Sequence, residues 1–150
     1  MAIRLGLNAK LYLKPGGVAG AGTWIEMGNV KDVTLNLEKG DADVTTRANN
    51  GWKASVPTTK EAKLETTLIW DTTDPGFVAI QQAFFQNTAI GVMALDGPQT
   101  EAGHQGLLAD MGVMTFSRKE GLEEALTVDV SLKIFYSQTP PQWVTTPVGP

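Results

Sequence analysis

Leu126-Thr127-Val128-Asp129-Val130-Ser131-Leu132-Lys133-Ile134 alternates apolar and polar side chains without a break. Successive side chains of a β-strand point to opposite faces. The period of two therefore puts Leu126, Val128, Val130, Leu132 and Ile134 on one side and Thr127, Asp129, Ser131 and Lys133 on the other. A helix would spread the same residues around its whole circumference. The stretch reads as a strand with one face in a core and one in water.

The same period recurs on the way back to the N-terminus. Leu108, Gly112, Met114 and Phe116 mark a strand, with Asp110 as an exception in the same row, and Val92-Met93-Ala94-Leu95 marks the one before it. Leu64, Thr66, Leu68 and Trp70 alternate with Lys63, Glu65, Thr67 and Ile69. Val33, Leu35 and Leu37 alternate with Asp32, Thr34, Asn36 and Glu38. A short strand is expected around Trp24-Ile25-Glu26-Met27. The first strand sets Leu7, Ala9, Leu11 and Leu13 against Asn8, Lys10, Tyr12 and Lys14.

Only once does the period change. Asp74-Pro75 offers an N-cap followed by proline at the first helical position, and Phe77, Ile80, Phe84 and Phe85 then recur at helical spacing. One amphipathic helix is expected at about Pro75 to Gln86. The class is mainly β with one helix, in a single domain over 1–150 with its core at about 7–136. Beyond it, 137–150 is a proline-rich arm with no room for a helix or a central strand.

The segment 39–57 stands apart. Ala48-Asn49-Asn50-Gly51 contains Asn-Gly, which suits the paired positive φ angles of a type I′ turn. Neither flank shows a clear apolar face, so a long, polar, projecting hairpin or loop is expected. Trp52 and Arg47 sit in it among polar neighbours, and these two residue types are enriched at interface hot spots. Trp143 repeats the pattern in the C-terminal arm.

Composition narrows the chemistry. The chain has no cysteine and one histidine, His104, which excludes thiolate zinc sites, cysteine nucleophiles and multi-histidine metal centres. A net charge of −4 with scattered basic residues argues against tight nucleic-acid binding. No run of about 18 apolar residues could cross a membrane as a helix, and Met1 to Gly6 is too short of apolar residues for a secretory signal, so synthesis in the cytoplasm is expected. The glycine-rich stretch Gly16 to Gly22 lacks the Lys-Ser/Thr of a phosphate loop and reads as a flexible connection. Asp71 and Asp74 are too few oxygen ligands for a calcium loop. Glu123, Glu124 and Asp129 read as solvated charges and His104 as a surface-loop histidine. No catalytic constellation, cofactor or metal site emerges, so no enzyme activity is expected.

The order of these elements resembles the bacteriophage major tail protein (tail tube protein) family. The residues that carry the likeness are Asp43-Val44-Thr45-Thr46-Arg47-Ala48-Asn49-Asn50-Gly51-Trp52-Lys53-Ala54-Ser55-Val56-Pro57. Family members have a similar Val-Thr-Thr-Arg … Gly-Trp-Lys loop between two strands and a single helix after the next strand. The resemblance spans about Leu7 to Tyr136. It implies a tail-tube-type β-barrel or sandwich with a long projecting loop and one flanking helix. It also implies a virion protein, assembled in the host cytoplasm into stacked hexameric rings that form a hollow tail tube for DNA passage.

Carried onto this chain, the resemblance makes Asp43, Thr45, Arg47, Asn49, Asn50, Gly51, Trp52 and Lys53 inter-ring contacts, with Trp143 added from its odd position. It makes Asp32, Glu38, Lys63, Glu65, Asp129 and Lys133 candidates for the lumen, where an excess of acids would keep DNA in non-specific transit from sticking. The implied partners are further copies of the chain and tape measure, terminator and baseplate or tail-tip proteins. Two other readings stay open on the residues alone: a secreted ring protein of a phage-derived secretion system, and a monomeric β-sandwich binding module.

Overall fold

The computed structural model describes residues 3–147. Its strands are β1 (Lys10–Pro15), β2 (Ile25–Glu26), β3 (Val30–Asp43), β4 (Ser55–Ile69), β5 (Ala89–Leu95), β6 (Gln105–Lys119), β7 (Thr127–Ile134) and β8 (Gln142–Thr145), with one α-helix, α1 (Pro75–Gln86). The strands form one antiparallel sheet in the order β2-β1-β5-β6-β7-β4-β3, and β8 also pairs with β6. β2 and β3 lie at opposite ends of that order, yet only Met27, Gly28 and Asn29 separate them in the chain. So short a link forces the sheet to curl until its ends approach. The result is a barrel-like wrap with its apolar face inside.

Leu11 and Leu13 of β1, Ile90 and Val92 of β5 and Leu64, Leu68, Val128, Val130 and Leu132 of β4 and β7 meet in one buried cluster with Phe77 and Ile80 of α1. The strand at Thr127–Ile134, β7, is an interior one, paired on both sides by β4 and β6. Of the apolar row expected on β3, Val33 and Leu37 depart: both lie on this edge strand and stay exposed.

α1 has the predicted bounds. The Asp74 carboxylate accepts from the Phe77 N–H at 3.0 Å, and Asn87 in the left-handed region ends the helix. Phe77 is fully buried and meets the Trp70 ring at 4.9 Å, while Phe84 stacks on Phe116. Burying a side chain of this size stabilises by about 2–3 kcal/mol. Phe85 was expected on the same stripe but is 69% exposed. It adjoins Phe84, and neighbours on a helix are rotated by about 100°, so both cannot face the sheet.

Three further departures have local causes. Leu7 sits in a 3-10 turn before β1 and is exposed, and β1 is covered on both faces instead of one. Tyr12 packs with Met93, Leu95 and Leu108 on the outer side of the sheet, beneath Val18, Trp24 and Val144. The glycine-rich connection makes this possible by folding back over the strands. Gly91 lets it approach, since a Cβ there would lie 2.9 Å from the Val18 nitrogen.

β6 contains a register shift between Val113 and Thr115, so its core row is Leu107, Ala109, Met111 and Val113 and then Phe116. The row expected from strict alternation, Leu108 to Met114, points the other way. Finally, the proline-rich arm is not featureless. Its residues Gln142–Thr145 form β8 and pair with Gln105–Leu108, extending the position that β7 occupies further along β6.

Candidate assembly interface

β3 and β4 are longer than the sheet they belong to. β7 pairs with β4 only over Lys63 to Ile69, so Ser55 to Ala62 pair with β3 alone. At about 3.3 Å per residue those eight residues carry a two-stranded ribbon about 26 Å past β7. A ribbon with no third strand and no covering helix has little core of its own. Nearly every residue from Gly40 to Glu61 is exposed.

The tip is nonetheless well organised. The Val44 N–H donates to the Ala54 carbonyl at 3.0 Å. The Thr45 hydroxyl then takes the place of a backbone partner, accepting from the Ala54 N–H at 2.9 Å and donating to its carbonyl at 3.3 Å. The Asp43 carboxylate accepts from the Thr45 N–H at 2.9 Å. Hydrogen bonding by Thr45 holds the Asp43 carboxyl below the ordinary aspartate value. Beyond this neck, Arg47–Asn49 make a 3-10 turn, and the Trp52 N–H donates to the Asn49 carbonyl at 3.0 Å. Asn50 and Gly51 between them have φ of 53° and 83°. The Asn-Gly signal is therefore realised as a tight turn, near the apex of the connection 44–54 instead of directly between the strands.

Trp52 is 78% exposed, so it does not fold back onto the core. Arg47 and Lys53 beside it are exposed and make no ion pair among the described residues. The ribbon also carries an apolar face that the sequence concealed. A register shift between Lys39 and Asp41 sets Ala42 opposite Val56. Val44 and Ala54, two positions further along each strand, fall on the same side, and both valines are exposed.

Asp32, Glu38, Lys63, Glu65, Asp129 and Lys133 are brought onto one face by register. Lys63 pairs with Lys133, Glu65 faces Thr34 and Ser131, and Thr67 faces both Asp32 and Asp129. Lys63 bridges Glu65 at 2.7 Å along the strand. Asp129 is held by Lys119 at 2.8 Å and by the Thr67 hydroxyl at 2.9 Å. The Lys119 ammonium and the Thr67 hydroxyl keep the Asp129 carboxyl below its ordinary value, and Asp129 raises Lys119. Register adds Glu61, opposite Glu38, and Lys119 to this face, one of each sign, so acids still outnumber bases by two.

Trp143 does not join the hairpin tip. It lies on β8, half exposed, with its indole N–H donating to the Gln105 carboxamide at 3.0 Å. His104 is not a surface histidine. It is buried, with each ring nitrogen 3.2 Å from a carboxylate oxygen, Asp96 on one side and Glu101 on the other. Its backbone N–H and carbonyl bind Thr146, just past β8. The ring thus fastens the loop before β6 to itself, and the His104 backbone fastens that loop to the residue just past β8. Asp71 and Asp74 serve the turn and cap before α1.

A curled sheet with one covering helix and an over-long, organised hairpin that exposes a tryptophan defines a structural β-protein built to associate. The chain belongs to the phage tail tube protein family, which matches residues 11–136, and is a structural tail tube subunit. Its fold is similar to a C6-symmetric tail of an empty gene transfer agent particle, with a TM-score of 0.73 at 11% identity over 96% of this chain and 99% of that chain. It is similar also to the SPP1 tail tube, with a TM-score of 0.69 at 16% identity over 88% of this chain and 76% of that chain. An anti-feeding prophage baseplate protein has the same fold at a TM-score of 0.60 and 8% identity, with 99% of each chain covered. No curated protein matches the chain in sequence.

Proposed function

We propose that the chain stacks as hexameric rings into the hollow tail tube of a phage or phage-derived virion, with the β3–β4 hairpin of each ring reaching the next. The observation that carries this reading is the hairpin itself. It overhangs β7 by eight residues and ends in a hydrogen-bonded tip that exposes Trp52, an arrangement with no use inside one subunit. Six copies are supported by the C6 symmetry of the similar gene transfer agent tail.

Lateral joining answers a second feature, the long outer edge of β3. Unpaired edges are templates for association, and closing them in a ring removes the hazard. The polar face of β3, β4 and β7 then lines the lumen, where its excess of acids keeps DNA moving without adhesion. Tape measure, terminator and baseplate or tail-tip proteins are the further partners, assembly takes place in the host cytoplasm, and the chain has no catalytic role.

Negative-stain microscopy tests the reading. Purified protein should form rings or tubes, and Trp52→Ala should abolish or shorten the tubes while leaving the subunit folded. Truncating a buried aromatic anchor costs about 2 kcal/mol or more per contact, a factor of about thirty. Normal tubes from Trp52→Ala would reject the hairpin as the stacking element.

A further inference from the structure

The hairpin needs a receptor on the next ring, and the fold restricts where that receptor lies. β3 runs toward the tip and β4 away from it. β7 is antiparallel to β4, with Thr127 opposite Ile69 and Lys133 opposite Lys63. The β6–β7 connection, 120–126, therefore sits at the opposite end of the same strands from the tip. In an array that repeats head to tail along these strands, one end of a subunit meets the other end of its neighbour.

The two ends are chemically complementary. At one end the tip exposes Trp52, with Arg47 and Lys53 and no acid between Val44 and Ala54. At the other, Leu122 is fully exposed. It stands on a tight turn closed by the Glu124 N–H donating to the Gly121 carbonyl at 3.3 Å. Glu120, Glu123 and Glu124 surround it, with no base between Glu120 and Leu126. Nearby Arg118 is occupied by Glu120 at 2.8 Å and Lys119 by Asp129. That leaves Glu123 and Glu124 without an ion pair among the described residues. The Trp70 N–H donates to the Leu126 carbonyl, which sets Asp71 alongside as further negative charge.

We propose that the hairpin tip of one copy docks on the β6–β7 turn of a copy in the next ring, with Trp52 against Leu122 and Arg47 and Lys53 against Glu123 and Glu124. The proposal rests on the stacking role of the hairpin and names its receptor. An apolar contact ringed by opposite charges gives both affinity and register. Both turns are hydrogen-bonded before contact, so little ordering opposes docking.

Charge reversal in the full-length chain tests it. Glu123→Lys with Glu124→Lys should raise the protein concentration needed for tube growth by about tenfold or more, because like charges then face each other. Adding Arg47→Glu and Lys53→Glu should restore tubes, since every copy then presents the exchanged pair at both ends. A cross-link gives a readout independent of charge. The native chain has no cysteine, so Lys53→Cys with Glu123→Cys should give a ladder of disulfide-linked multimers on oxidation, and neither single variant should pass a dimer. Tubes that grow without forming the ladder overturn the receptor assignment. If the reversal is also silent while Trp52→Ala still stops growth, the hairpin stacks elsewhere and only this inference fails. Normal growth of Trp52→Ala would instead sink the stacking role beneath it.

Discussion

The two halves of β4 use the same ladder for opposite ends. From Lys63 to Ile69 the strand lies between β3 and β7, and Leu64 and Leu68 are fully buried. From Ser55 to Ala62 it pairs with β3 alone, and Val56 is left half exposed. The first half is hydrogen-bonded on both edges and the second on one edge only, so the two differ both in the backbone groups left open and in what covers the side chains. Subunit stability resides in the half that has a third strand. Contact with other copies is the role proposed for the half that lacks one.

That contrast is easiest to break in the core. Leu68→Ala removes a fully buried side chain from the cluster beneath α1. A loss of about 3 kcal/mol is expected, within the roughly 2–5 kcal/mol that such truncations cost. Chemical denaturation measures it, and a loss below about 1 kcal/mol would mean the curl is held together elsewhere. Next in size is Asp74→Ala, which frees the Phe77 N–H at the helix start. It should cost about 1 kcal/mol. Phe77 lies in the core, so the loss should appear in the global transition and not as fraying of α1 alone.

A smaller effect sharpens the contrast from the other side. Replacing Asn49 to Lys53 by a short glycine linker deletes the turn and Trp52 but touches no residue of the buried cluster. The subunit's melting transition should move by no more than the equivalent of about 0.5 kcal/mol, the usual range for surface changes. Tube growth should stop. An unfolded product would place part of the tip's stabilising role in the subunit itself.

How far the sequence announces each half follows from the same physics. Strands with one wet and one dry face declare themselves, which is why β7, the core half of β4 and α1 are legible with their bounds nearly intact. Register shifts are not legible. The irregularity in β6 turns Met114 out and brings Phe116 in, so strict alternation assigns its earlier row to the wrong face. The shift between β3 and β4 hides the Ala42–Val56 side of the hairpin in the same way.

Burial produced by folding over is equally silent. Tyr12 reads as a water-facing residue until the glycine-rich connection covers it, and His104 until Thr146 closes over its loop. Asp110 was the one signal to follow. A carboxylate in an otherwise apolar row needs partners, and it finds the Val18 N–H and the Ser137 hydroxyl, each at 2.6 Å. It ties the glycine-rich connection and the start of the C-terminal arm to β6.

The smallest expected effect lies on the polar face and depends on pH. The Asp129 carboxyl is held below its ordinary value by the Lys119 ammonium and the Thr67 hydroxyl, so the folded state favours its ionised form more than the unfolded chain does. Such a group contributes stability above its unfolded pKa of about 3.9 and loses it as pH falls through the folded value. Asp129 is partly exposed and its partner is on the surface, so salt and water screen most of the interaction. Asp129→Asn should therefore lower the melting temperature slightly at neutral pH. The gap between variant and native chain should narrow as pH drops below about 4, where the native carboxyl protonates too. Melting curves of both proteins from pH 7 to pH 2 measure that gap. If it widened on acidification, the sign would be wrong and Asp129 would be a burdened carboxylate, not a supported one. In tubes the same substitution removes one acid per subunit from the face proposed to line the lumen. It also releases Lys119, which lies near enough to Glu124 to feel its charge, so ring stacking at neutral pH should weaken slightly.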